Sequence, residues 1–171
     1  MNKEHTGNFE PQITAFYCIY CGYMAADTSG ALHIQYPANV KFVRMPCTGK
    51  TDPRYLLEAF EQGADGVYIV ACPIGNCHHV RGNERGHNRV EYTKTILDEI
   101  GLGSERLNMY FMSGSQGQSF AMAAQEMTER IRKLGPNPLK NGKLEEWKAG
   151  TEAGETEEEI GFRGRKQDGR P

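Results

Sequence analysis

The sequence predicts an α/β fold: a single doubly wound, mostly parallel four-stranded sheet followed by a polar C-terminal tail. Three observations predict it. Four short runs rich in β-branched and aromatic residues alternate with four longer segments of helical period. The connections carry Gly, Pro or capping residues where one element must stop and the next begin. Three of the four strand runs are followed directly by cysteine, which gathers all five thiols at one carboxyl edge if the strands are parallel.

The elements follow in order. Residues 1–11 are polar and read as a loose arm. Residues 13–17 (Ile-Thr-Ala-Phe-Tyr) read as a buried strand that runs straight into Cys18-Ile19-Tyr20-Cys21. Residues 22–32 are Ala-rich and read as a helix despite Gly30. A second strand over 40–46 ends in Pro46-Cys47-Thr48-Gly49. The next helix has Asp52 as N-cap, Pro53 at its first position, Leu56, Leu57 and Phe60 at helical spacing, and Gly63 as its stop. Gly66 opens a third strand over 67–71, closed by Cys72-Pro73-Ile74-Gly75-Asn76-Cys77. A helix over 83–100 carries Val90, Ile96, Leu97 and Ile100 on one face and stops at Gly101. Residues 107–112 make the fourth strand. The last helix, 116–134, repeats Phe120, Ala123, Ala124, Met127, Ile131 and Leu134 and ends at Gly135-Pro136. Helices on both faces of such a sheet give flavodoxin-like layering.

Residues 12–139 therefore form one domain, and 140–171 form a tail of different character. The tail is rich in Lys, Glu and Gly, holds the single Trp147 and includes Thr156-Glu157-Glu158-Glu159. It cannot build a core of its own. It reads as disordered or as a partner-docking arm, with Leu144, Trp147, Ile160 and Phe162 as its apolar anchors. A formal net charge of -2 gives no basic stripe for nucleic acid. No run approaches the roughly 18 apolar residues of a membrane span. The first residues lack the apolar core of a secretory signal, so a cytoplasmic location is expected. In a reducing compartment, clustered cysteines bind metal or do redox work more often than they form disulfides.

The cysteines are spaced C-x2-C for Cys18 and Cys21, then Cys47 alone, then C-x4-C for Cys72 and Cys77. Thiolates are the soft anionic ligands that iron–sulfur clusters require. Each short-spaced pair suits one iron of a binuclear cluster, which leaves Cys47 as the spare or exchange ligand, although spacing alone singles out none of the five. Gly22, Gly49 and Gly75 allow backbone amides to come close to such a cofactor. Cys21 and Cys77 stand near expected helix starts, where the helix dipole favours thiolate. His78, with His79, Arg81 and Arg85, adds positive charge beside the site.

Other chemistries compete for the same residues. Four thiolates in these spacings also suit structural zinc, which would make the chain a zinc-stapled α/β interaction module without a redox role. A thioredoxin-like dithiol at Cys18 and Cys21 leaves three thiols unexplained. No Gly-x-Gly-x-x-Gly follows a strand, and Ser113-Gly114-Ser115-Gln116-Gly117 reads as a strand-to-helix turn. An electron carrier needs an apolar rim for docking, and Tyr17, Tyr20, Tyr23, Ile74 and Met112 are the expected rim.

Several blocks together resemble a known family. They are Tyr17-Cys18-Ile19-Tyr20-Cys21-Gly22-Tyr23, Val43-Arg44-Met45-Pro46-Cys47-Thr48-Gly49-Lys50, Cys72-Pro73-Ile74-Gly75-Asn76-Cys77-His78, Gly82-Asn83 and Gly135-Pro136-Asn137-Pro138. Over about residues 13–139 the chain resembles the delta subunit of methyl-viologen-reducing hydrogenase, the iron–sulfur subunit that is associated with heterodisulfide reductase. The resemblance implies one [2Fe–2S] cluster held by four of Cys18, Cys21, Cys47, Cys72 and Cys77. It also implies electron transfer between a hydrogenase, formate dehydrogenase or other reductase and the flavin-containing A subunit of a heterodisulfide-reductase-like complex. No catalytic residue is expected in the chain itself.

Overall fold

The computed structural model of the chain describes residues 9–141. Four strands, β1 (Ile13–Cys18), β2 (Val40–Met45), β3 (Gly66–Ala71) and β4 (Leu107–Phe111), form one sheet in the order β2-β1-β3-β4. Every pairing is parallel, so the expected α/β architecture is the observed one. Ile13 sits opposite both Val40 and Gly66, which brings the three thiol-bearing strands into step. Central β3 is buried along its whole length, as a strand covered on both faces must be.

Helices α1 (Cys21–Ala31), α2 (Pro53–Glu61), α3 (Gly82–Glu99) and α4 (Gly117–Leu134) supply the covers. One face buries Ile13, Ala15, Tyr68 and Val70 against Phe120, Ala124, Met127 and Ile131 of α4, with Ala25 of α1. The other buries Phe16, Val67 and Ile69 against Leu56 and Phe60 of α2 and Val90 and Leu97 of α3. The alternation of β1 between these two cores is the period-two rule at work. Helix α2 begins as its sequence requires: Asp52 Oδ1 accepts from Arg54 N at 3.0 Å and Pro53 is the first helical residue. Gly63, at φ +97°, turns the chain out of it. The remaining ends fall within one or two residues of expectation.

A polar knot at the opposite, strand-start edge holds the end of the domain. The buried Asp65 carboxylate accepts from Gln12 N (2.8 Å), Asn137 N (2.8 Å) and Lys140 Nζ (2.7 Å). Asn137 Nδ2 reaches the carbonyls of Phe60 and Ala64. Arg106, also buried, donates to the carbonyls of Leu102, Asp65, Gly135 and Pro136. Gly135-Pro136-Asn137-Pro138 is thus a structural clasp, and Lys140 still belongs to the packed unit. The tail reading for 142–171 lies outside the described residues. Among the described residues no helix is long and apolar enough to cross a membrane.

Candidate metal centre

In a sheet ordered β2-β1-β3-β4, β2 and β3 flank β1, so the chain reverses direction between β1 and β3 and a crevice opens at their carboxyl ends. Cys18 is the last residue of β1 and Cys72 follows the last residue of β3, one on each side of this crevice. Their sulfurs stand 3.6 Å apart. Cys21, the first residue of α1, places its thiol beside Cys72. Cys47 follows β2, and Cys77 ends the loop from β3. Those two sulfurs meet at Gly82, the first residue of α3: a Cβ there would collide with Cys47 Sγ and come within 3.2 Å of Cys77 Sγ. All five thiols therefore occupy one edge, as the parallel topology requires.

Their grouping is not the one that chain spacing suggests. The contacts run between loops, Cys18 with Cys72 and Cys47 with Cys77, instead of along the chain within C-x2-C and C-x4-C. Cys47 is not set apart from the other thiols, because its sulfur and that of Cys77 both border Gly82. Among the described residues no three His, Cys, Asp or Glu side chains converge as a ready-made shell for one ion. The sulfurs form two adjoining groups.

Backbone amides point at the sulfurs. Gly22 N donates to Cys18 Sγ at 3.4 Å and Gly49 N to Cys47 Sγ at 3.3 Å. Both glycines are required by space: a Cβ on Gly22 would lie 2.9 Å from Tyr17 Cβ, and one on Gly49 would lie 2.8 Å from Gly82 Cα. A tight turn follows Cys77, with Val80 N donating to Cys77 O (2.9 Å) and Arg81 N to His79 O (2.7 Å). Val80 takes φ +62° to make it, a strained conformation for a β-branched residue. The amides of His79 in this turn and of Gly82 and Asn83 at the start of α3 lie near the Cys77 sulfur.

These environments set the thiols apart. Burial, reinforced by neighbouring thiols, pushes Cys21 up to about 12 and Cys18 up to about 11. Burial also raises Cys47. Cys77 is partly desolvated too, yet the three amides hold it below the ordinary thiol value. Crowded thiolates repel one another, and a cationic group among them relieves that repulsion. A donor set of sulfur alone, with amides directed at it, fits an iron–sulfur cluster.

The loops are pinned from outside. Asn83, fully buried, donates through Nδ2 to the carbonyls of Cys72 (3.0 Å) and Pro73 (2.7 Å). Arg89 Nη1 donates to the carbonyls of Gly49 and Thr51, each at 2.9 Å, and so ties α3 to the Cys47 loop. Tyr20 stacks on His78 with ring centroids 3.8 Å apart, and His79 meets it edge-on. His78 is thus placed against the α1 side of the edge through Tyr20.

Gly75 is different from the other two expected glycines. It has φ +84°, and a Cβ there would meet nothing within 4 Å. Its work is the turn, while the close approach to sulfur falls to Gly82. Of the expected rim, Tyr23 and Ile74 are exposed, but Tyr17 and Met112 are buried in the core beneath α1 and α4. Gly82 and Asn83 are the site residues that spacing arguments overlooked. The available signal was a small residue followed by Asn at a helix start, directly after the thiol loop.

The family model for "Methyl-viologen-reducing hydrogenase, delta subunit" matches residues 13–135. The chain belongs to this family. It is 50% identical over 131 residues to the vhu iron–sulfur D subunit of the F420-non-reducing hydrogenase of Methanococcus maripaludis, a match covering 77% of this chain and 98% of the relative. The same-named protein of Methanocaldococcus jannaschii is 49% identical over the same shares. A third relative has another build. In the A subunit of the ferredoxin/F(420)H(2)-dependent CoB-CoM heterodisulfide reductase of Methanosarcina acetivorans, 126 residues are 35% identical, covering 74% of this chain but 16% of that protein. The delta-subunit fold thus occurs both as a separate chain and as one part of a much longer one.

Proposed function

We propose that this delta-subunit homologue is a [2Fe–2S] electron-transfer subunit. It relays electrons between a partner oxidoreductase, such as a hydrogenase or formate dehydrogenase, and the flavin-containing A subunit of a heterodisulfide-reductase-like complex. The observation that carries this reading is the gathering of five thiols from three strand ends at one sheet edge, with Cys18 and Cys72 3.6 Å apart across the β1/β3 crevice and amides directed at sulfur. The relatives support it in two ways: several are named iron–sulfur subunits, and the A subunit of one heterodisulfide reductase contains this module within its own chain. Two modules fused in one protein act at close range, and the same pairing between separate chains is the natural reading here.

A bound cluster supplies reversible one-electron chemistry. The chain supplies its containment. Cys18 with Cys72 and Cys47 with Cys77 form two facing pairs of donors, with Cys21 beside Cys72 as the fifth thiol. The amides of Gly22, Gly49 and the Cys77 turn stabilise sulfur in its anionic state. Tyr20, His78 and His79 cover part of the edge, and exposed Ile19, Tyr23, Met24, Ile74 and Val80 give a partner apolar surface there.

The test is anaerobic purification followed by iron and acid-labile sulfide analysis and EPR of the reduced protein. About two irons and two sulfides per chain are expected for this cluster type. One zinc and no sulfide would replace the redox reading with the zinc-stapled module, and about four irons would change the cluster type.

A further inference from the structure

Beside α2 the sheet keeps an uncovered groove of about 840 Å³. Its floor comes from Phe16 of β1 and Val43 and Met45 of β2, and its wall from Tyr55 and Ala59 of α2. Helix α2 turns Leu56 and Phe60 towards β1 and β3, and among the described residues β2 has no strand on its outer side. An open edge strand with an apolar face beside it is a surface that folded proteins cover.

Charge identifies the cover. Lys41, Arg44 and Lys50 line the groove against the single carboxylate of Glu58. None of these three cations forms an ion pair among the described residues. The chain leaves the described structure at one end of this groove. Lys140 Nζ lies 3.5 Å from Gln12 Oε1, its Cε lies 3.4 Å from a Cβ position on Gly63, and Gln12, Gln62 and Ala64 line the strand-start end.

Directly beyond this point the chain reads Gly142-Lys143-Leu144-Glu145-Glu146-Trp147, and residues 144–162 hold seven Glu against one Lys. At about 3.3 Å per extended residue, six residues reach the roughly 20 Å length of β2. The match to the Methanococcus maripaludis relative uses 98% of that protein but 77% of this chain, so this chain carries sequence beyond the shared domain.

We propose that segment 142–162 docks in this groove of its own chain. Leu144 and Trp147 pack on Phe16, Val43 and Tyr55, and the glutamates face Lys41, Arg44 and Lys50. The docked segment covers the β2 edge and abuts Pro46 and Lys50, which flank the Cys47 turn. This inference stands whether the thiols hold two irons or one zinc.

Trp147 is the only tryptophan in the chain, so it reports its own environment. In the full-length metal-loaded protein, acrylamide should quench its fluorescence several-fold more slowly than it quenches free tryptophan. The exposed-site double variant Lys41→Glu, Arg44→Glu should restore fast quenching. Trp147→Ser should speed hydrogen exchange across β2 about ten-fold while leaving β3 unchanged. Fast quenching in the parent protein, or β2 exchange indifferent to Trp147→Ser, would overturn the proposal. So would a shielded Trp147 that ignores charge reversal, which would place it elsewhere. Shielding that grows with protein concentration would assign the groove to a second copy and refute occupancy by the same chain.

Discussion

Replacing Asn83 tests how the thiol edge is held in shape. The side chain is fully buried, and its Nδ2 bonds two carbonyls of the loop that starts at Cys72. The two carbonyls are not equivalent. Pro73 O also accepts from Asn76 N at 3.0 Å, whereas Cys72 O has no other donor among the described hydrogen bonds. Asn83→Ala therefore orphans one buried carbonyl, at about 1–3 kcal/mol, and removes one further bond worth about 1 kcal/mol. The bond from Glu84 N to Asn83 Oδ1 also goes, but the better helix propensity of Ala offsets about 0.5 kcal/mol of that loss. The sum is a destabilisation of about 2–4 kcal/mol. Asn83→Asp should be worse than Ala, because it keeps the Glu84 bond but turns an anionic oxygen on two carbonyls. Urea unfolding of the metal-loaded protein measures the first effect, and iron retained per chain measures the loosening of Cys72 and Cys77. A loss below about 0.5 kcal/mol for Ala, or an Asp variant as stable as the parent, would refute the assignment of Asn83 as the loop's anchor.

Other perturbations separate the roles of neighbouring residues. Gly82→Ala should favour the helix by up to about 1 kcal/mol yet lower iron content, because its Cβ collides with Cys47 Sγ; unchanged metal content would show the sulfurs are free to move aside. Gly75→Ala should cost about 1–2 kcal/mol through its positive φ and leave iron content intact, since its Cβ enters open space. In the cysteine series, Ser at 18, 47, 72 or 77 should strip most of the iron and Cys21→Ser the least; retention in Cys47→Ser with loss in Cys21→Ser would restore the pairing by chain spacing. Arg106→Met removes the donors to four carbonyls at the far edge and should cost about 3 kcal/mol in urea unfolding, with the visible spectrum of the metal centre unaltered.

The alternation of strands and helices, the Asp52-Pro53 helix start and the arrival of thiols at strand ends were all legible in the sequence. Each is a local property: side-chain period, capping chemistry and the distance from a strand to its next turn. Parallel pairing then followed from the lengths of the connecting helices. The sequence also supplied the family, through motif blocks that keep all five cysteines in order. It did not show which thiols would face each other. That depended on β2 and β3 taking opposite sides of β1, a choice made by long-range burial of the whole sheet. The same choice brings Cys47 to Cys77 through Gly82 and pins the Cys72 loop on Asn83. Tyr17 and Met112 read as rim residues by composition, but packing under α1 and α4 turned them into core. Lys140 read as the start of a tail, yet it shares with Asn137 a bond to Asp65, seventy-odd residues earlier. Sequence by itself determined the elements and the chemistry of the edge; tertiary structure decided the pairing of the sulfurs, because contacts between distant segments are fixed by the burial of the whole sheet and not by any one stretch of it.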